Sequence, residues 1–445
     1  MWTVAQLAAD LAAGRTSSRR LTEQALERIA DRSGEGARAL IEVYADSALA
    51  EADHSDRLRK GGVRRSPVDG LPVALKDLFD VAGDITRAGS KVLDERASTD
   101  AAAVARLRAA GAVFVGRTNM VEFAFGTTGI NPHYGTPKNP WDRKTARIPG
   151  GSSSGAAVAQ ADGMCVMALG SDTRGSVRIP AALCGVTGFK PTTRRVPREG
   201  AFPLSYTLDS IGPLANSMAC CATYDAILAG EAVGPLPEVA VKGLRLLLPQ
   251  TVVREGLDPE VAESFENALD RVQRAGAVVT EKPVPAFDRQ SEYFKGGGYA
   301  GAEAYAIHRR NAARLSEYDP RVAKRVLLGK DLSAADYVDF GLLRAAYQRE
   351  VGATLEPFDA FVLPTVPCIA PPIAEVDASD EAYFGWNMRI LGIVGLVNFL
   401  DGCAASLPCH ARGAAPVGLM VCGPAMSDRR ILAVAAAIER ALESR

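Results

Sequence analysis

Gly70-Leu71-Pro72-Val73-Ala74-Leu75-Lys76-Asp77 sets five apolar residues in a row behind a glycine and ends them on a charged pair. A run this short reads as a buried strand that closes on Lys76. Downstream the pattern alternates, with a helix over 100–110, a strand over 112–115, a Gly/Ser loop at 149–155, a helix to about Ala161 and a strand over 165–169. Helices that separate short apolar strands predict an α/β sheet with helices on its faces.

Outward from this core, residues 3–32 carry two helical patterns, Val4/Leu7/Ala8/Leu11 and Leu21/Ala25/Ile29, with Thr16-Ser17-Ser18 between them to cap the second. The second half predicts strands near 244–248, 360–363 and 417–421, and helical patterns over roughly 259–275, 300–350 and 427–443. There is no internal repeat and no Pro-rich linker long enough to separate domains. One large domain over residues 1–445 is therefore expected, with a lobe boundary between 230 and 281 and a smaller pocket-forming lobe over about 231–350.

Hydrophobic residues make up 47% of the chain and charged residues 23%, which excludes a disordered or fibrous protein. The net charge of −1 implies no attraction to nucleic acid or anionic lipid, so a small-molecule substrate fits better. None of the eight cysteines forms a C-x-x-C pair or shows the spacing of a metal site. Free buried thiols, no metal and no cofactor are expected. Trp2-Thr3-Val4-Ala5-Gln6-Leu7 lacks the charged and apolar regions of a signal peptide. The longest apolar stretches, such as 390–400, are too short to span a bilayer, so a cytoplasmic protein off the membrane is expected.

Two loops hold most of the glycine and serine: Pro149-Gly150-Gly151-Ser152-Ser153-Ser154-Gly155 and Gly170-Ser171-Asp172-Thr173-Arg174-Gly175-Ser176. Each precedes a helix and can aim backbone N–H groups into one space, which suits a phosphate or a developing oxyanion. No lysine follows either loop at the spacing a phosphate loop needs. Gly151-Ser152-Ser153-Ser154-Gly155 satisfies G-x-S-x-G, with Ser153 as the nucleophile of an α/β-hydrolase-type esterase. That motif needs an apolar strand before it, and Lys144-Thr145-Ala146-Arg147-Ile148-Pro149 is polar. It also needs a late histidine; of His54, His133, His308 and His410 only His410 is suitably placed. The other route to an activated serine is a desolvated neutral lysine, and Lys76 at a buried strand end is such a residue, although pairing with Asp77 at the surface is equally compatible with the sequence.

Taken together, these segments resemble the amidase signature family over most of the chain and most closely over about 66–215. The resemblance rests on Gly70 to Asp77, on Thr118-Asn119-Met120-Val121-Glu122-Phe123-Ala124, on Asn139-Pro140-Trp141-Asp142, and on the two serine loops, whose Ser152 and Ser176 lie 24 residues apart. It implies a central twisted mixed β-sheet covered by helices on both faces. It also implies that Ser176 is the acyl-enzyme nucleophile, that Ser152, preceded by a cis peptide, relays its proton to Lys76, and that Ser153 supports the hydrogen-bond network. The oxyanion hole would be the N–H groups of Thr173, Arg174, Gly175 and Ser176. Phe125 and Gly126 would line the substrate pocket, although Phe125 reads equally well as core. Arg174 and Ser154 depart from the glycines usual in the family, and Arg174 could turn either into the pocket, towards a carboxylate or ureido group of the substrate, or outward to a surface acid.

The expected reaction is hydrolysis of a small amide, ureido or carbamoyl compound by water, with release of ammonia or an amine. The alternative is a glutamine-hydrolysing component of a tRNA-dependent amidotransferase, which works beside companion proteins. A homodimer is compatible with either reading.

Overall fold

The computed structural model describes residues 3–250 and 256–443. Met1 and Trp2, and residues 251–255 inside the stretch read as a lobe boundary, lie outside the described residues. Among the described residues there are eleven strands: β1 (Leu40–Val43), β2 (Pro72–Lys76), β3 (Val113–Thr118), β4 (Met167–Asp172), β5 (Thr187–Lys190), β6 (Ser210–Ala215), β7 (Arg245–Pro249), β8 (Val278–Lys282), β9 (Ala360–Pro364), β10 (Cys403–Pro408) and β11 (Gly418–Gly423). They form one mixed sheet in the order β1-β3-β2-β4-β6-β5-β10-β11-β9-β7-β8. Helices flank it; those over Ser154–Ala161 and Arg178–Cys184 pack together, as do those over Met218–Ala229 and Asp428–Glu443. This is the α/β architecture the alternation predicts.

β2 lies between β3 and β4 and is parallel to both, and all five of its residues are buried. Burial on both faces is why its sequence is a continuous apolar run rather than an alternating one. Pro72 opens the strand, where a missing N–H is tolerated. The register pairs Leu75 with Leu169, which sets Lys76 beside the Gly170-Ser171 end of β4. Two parallel strands thus deliver a lysine and a serine loop to the same carboxyl edge, the usual place for a site in an α/β sheet.

The pattern over 300–350 is not one helix. It divides into a helix Gly298–His308, a 3-10 stretch Arg309–Glu317, a helix Pro320–Leu327 and a helix Ala334–Leu355. Asp319 caps the third by accepting from the Arg321 N–H, with Pro320 in its first turn. Ser333 and Asp336 form a capping box at the start of the fourth. Both starts are written in the sequence as Asp-Pro and Ser-x-x-Asp.

Candidate active site

Lys76 is fully buried, and its Nζ donates to Ser152 Oγ at 2.7 Å and to Ser171 Oγ at 2.9 Å. It does not pair with Asp77 at the surface. Asp77 is itself buried, accepts from the Gly89 N–H and faces Arg117 at 3.6 Å. Burial lowers the Lys76 ammonium to about 7 against the opposing pull of Asp172 and Asp209. A neutral amine that can accept a proton is therefore present at ordinary pH.

The Gly151–Ser152 peptide is cis, as the resemblance implies. The loop is held from both sides: Gly151 N–H donates to Thr127 O at 2.6 Å, and Ser152 O accepts from Val121 N–H at 3.1 Å. The helix Ser154–Ala161 begins against other backbone, and a Cβ at Gly155 would stand 2.1 Å from Ala39 O. Only glycine fits that approach.

Ser176 lies two residues ahead of the helix Arg178–Cys184. Its carbonyl accepts from Ser153 N–H at 3.3 Å, which joins the two serine loops. Among the described residues its hydroxyl has no protein partner and no hydrogen bond to Ser152 Oγ. It lines a cavity of about 20 Å³, the room of roughly one water, with Phe125, Gly126, Thr127, Thr173 and Arg174. Phe125 and Gly126 thus line the same cavity as Ser176.

The loop before Ser176 is fixed by a buried charge cluster. Asp172 accepts from Arg178 through both carboxylate oxygens at 2.9 and 3.0 Å, from Asn398 Nδ2 at 2.8 Å, and from Val177 N–H at 3.1 Å. Burial would raise its carboxyl, but Arg178, helped by Lys190 and Asn398, holds it well below the usual carboxylate range. Asp172 also corrects one expectation. The Gly175 N–H donates to Asp172 Oδ1 at 2.7 Å instead of facing the cavity. The N–H groups of Thr173, Arg174 and Ser176 donate to no protein acceptor among the described residues and remain available to an oxyanion. Gly175 has φ +109°, a conformation that closes this turn and that favours glycine.

Ser153 is buried, and its hydroxyl makes only a long contact of 3.4 Å with Ser171 O. No histidine activates it: His410 accepts from Val417 N–H, His133 bonds Glu122, His308 bonds Tyr318 and His54 is exposed. The Ser153 esterase reading thus has no base.

Sequence reading missed Ser171, which sits in the second serine motif but carries no mark separating it from the loop. It lines a cavity of about 820 Å³ with Asp209, Phe202 and Arg198. Asp209 accepts from Thr173 Oγ1 at 2.5 Å and so holds the start of the loop that leads to Ser176. Arg174 does not turn outward to a surface acid. It lies over the Phe294 ring and lines the cavity beside Ser176.

The eight cysteines are free, and all but Cys409 are buried. No helix among the described residues is long and apolar enough to cross a membrane. A sequence profile described as Amidase matches residues 20–432. The chain is 36% identical to 2-amino-5-chloromuconic acid deaminase from Comamonas testosteroni, across 88% of this chain and 86% of that protein. It is 34% identical to a component of the glutamyl-tRNA(Gln) amidotransferase of Chromohalobacter salexigens, across 99% and 96% of the two. A solved structure described as that of an amidase matches with a TM-score of 0.89 at 34% identity, covering 99% of each chain.

Proposed function

The chain belongs to the amidase family and is a hydrolase of C–N bonds, and from that premise we propose that it cleaves a small amide, ureido or carbamoyl compound through an acyl-enzyme on Ser176. The observation that carries the proposal is the buried Lys76 amine bonded to Ser152 Oγ at 2.7 Å, beside the loop that presents Ser176.

In the first half-reaction Ser176 Oγ attacks the carbonyl carbon while its proton passes to Ser152 Oγ and the Ser152 proton passes to neutral Lys76. The carbonyl oxygen takes the electron pair and is met by the N–H groups of Thr173, Arg174 and Ser176. Collapse of this intermediate breaks the C–N bond, and Lys76 returns the proton through Ser152 to the departing nitrogen. Water then gives a proton to the same relay, attacks the acyl carbon and leaves as the acid, restoring Ser176. The Ser176 hydroxyl must rotate onto Ser152 for this, and hydrogen bonds of this kind commonly tighten only with substrate bound.

Glutamine is the substrate in a second reading, favoured by the 34% identity to the amidotransferase component. We place the enzyme in the cytoplasm, where its free cysteines stay reduced, acting with water on a small molecule and without nucleic acid or membrane. Ammonia release across aliphatic, aryl, dicarboxylic and ureido amides, with glutamine included, tests the reading. Activity that Ser176→Ala and Lys76→Ala both abolish supports it, and activity that survives either change refutes it.

A further inference from the structure

A larger cavity of about 370 Å³ adjoins the one at Ser176, and Phe125, Arg174, Arg325 and Leu391 line both. Arg174 reaches this boundary from the loop after β4 and Arg325 from the helix Pro320–Leu327. Each guanidinium is held over an aromatic face. Arg174 Cζ is 3.6 Å from the Phe294 ring centroid and Arg325 Cζ is 4.7 Å from that of Phe125. A ring covers the face of a guanidinium and leaves its N–H edge for other partners.

Those edges lack an anion. Arg174 Nε is buried with no hydrogen-bond partner, and neither guanidinium pairs with a carboxylate among the described residues. Arg325 has one protein acceptor, Asn387 Oδ1 at 3.2 Å, which already accepts from the N–H and hydroxyl of Thr127. Elsewhere the chain satisfies its buried arginines with acids, Arg178 with Asp172 and Arg195 with Asp225. Burial, and then the charge of Arg325, push Arg174 down to about 9, which leaves it cationic at neutral pH. Two half-buried cations beside each other are unfavourable until an anion lies between them.

We propose that Arg174 and Arg325 form the anion-binding half of the substrate site, so that the substrate is an amide carrying a carboxylate at its far end. The proposal rests on amide hydrolysis at Ser176 and narrows it to a substrate class. The carboxylate takes charge-assisted bonds from both guanidinium edges. Leu391 and Met388 supply apolar contact to the carbons between the two ends. A neutral amide of the same size leaves both cations unpaired, and discrimination against a substrate that lacks a required polar partner is large.

The experiment compares the monoamides of malonic, succinic, glutaric and maleic acids with the corresponding diamides, which keep the skeleton and remove the charge. With the parent enzyme, kcat/KM for at least one monoamide should exceed that of its diamide by about tenfold or more, as expected for a charge-assisted pair. Arg325→Gln and Arg174→Gln should each erase that preference, lowering kcat/KM for the monoamide about tenfold more than for the diamide and chiefly through KM. Binding is measured separately by calorimetry on Ser176→Ala, where the anion site persists without turnover. Tighter binding of a monoamide than its diamide, weakened by adding Arg325→Gln, supports the arginine pair even if no panel member is hydrolysed; that outcome would instead count against the amidase reading of Ser176. Equal binding of charged and neutral ligands on Ser176→Ala, or a preference that survives both arginine changes, overturns the proposal.

Discussion

Lys76 Nζ donates to hydroxyls on two different segments, Ser152 Oγ in the first serine loop at 2.7 Å and Ser171 Oγ near the end of β4 at 2.9 Å. The lysine is thereby fixed at the point where β2 meets β4, held to Ser152 on one side and braced by Ser171 on the other.

Ser171→Ala removes the brace and leaves the relay intact. We predict a fall in kcat of roughly tenfold with KM within about twofold, the signature of an interaction that serves the chemical step. Steady-state kinetics on the best amide check this, and an unchanged kcat would remove Ser171 from the positioning role.

With the neutral amine as the proposed base, the rate should rise with pH through about 7 and then level off, because burial lowers Lys76 to about that value. A kcat/KM profile measures it. A rate that falls over the same range would assign the limb to an acid instead.

Stability carries the same group with its own sign. Lys76 titrates near 7 in the folded chain and near its ordinary 10.5 when unfolded, so between those values the unfolded state holds more protons. Its contribution therefore increases with pH across that window, and below about 7 the folded protein bears the full penalty of a buried cation. Lys76→Met should raise the melting temperature at pH 6 more than at pH 10. Equal shifts at both values would show that the amine is not desolvated.

Asp172→Ala leaves Arg178 charged and without its carboxylate in a fully buried position, and frees the Gly175 and Val177 N–H groups. Breaking a buried pair from one side costs about 3–5 kcal/mol. Denaturant unfolding of the variant should show a loss of that size, and a loss below about 1 kcal/mol would mean that the cluster does not clamp the oxyanion loop.

Much of this was readable in the chain. β2 announces itself because burial on both faces forces a continuous apolar run, and Lys76 stands out as the charge at its end. The strands β1, β5, β6, β8 and β10 escape such reading because they are short or interrupted by Gly, Pro, Ser and Thr, and sheet neighbours rather than their own residues make them strands. The same holds in the site. Asp172 meets Asn398, and Arg174 meets Phe294 and Arg325, across more than 100 residues, so no local motif could pair them. Gly175 is the clearest lesson. Its place in the loop suggests an oxyanion donor, but the carboxylate three residues earlier takes its N–H.

The nucleophile itself can be found by covalent capture. Phenylmethanesulfonyl fluoride forms a bond from the attacking serine oxygen to sulfur and expels fluoride, so the protein gains the mass of one sulfonyl group. Intact-mass measurement should show a single adduct that forms with loss of activity, is slowed by substrate, is absent in Ser176→Ala and persists in Ser153→Ala. An adduct that still forms on Ser176→Ala with loss of activity, and disappears in Ser153→Ala, would contradict the assignment of Ser176.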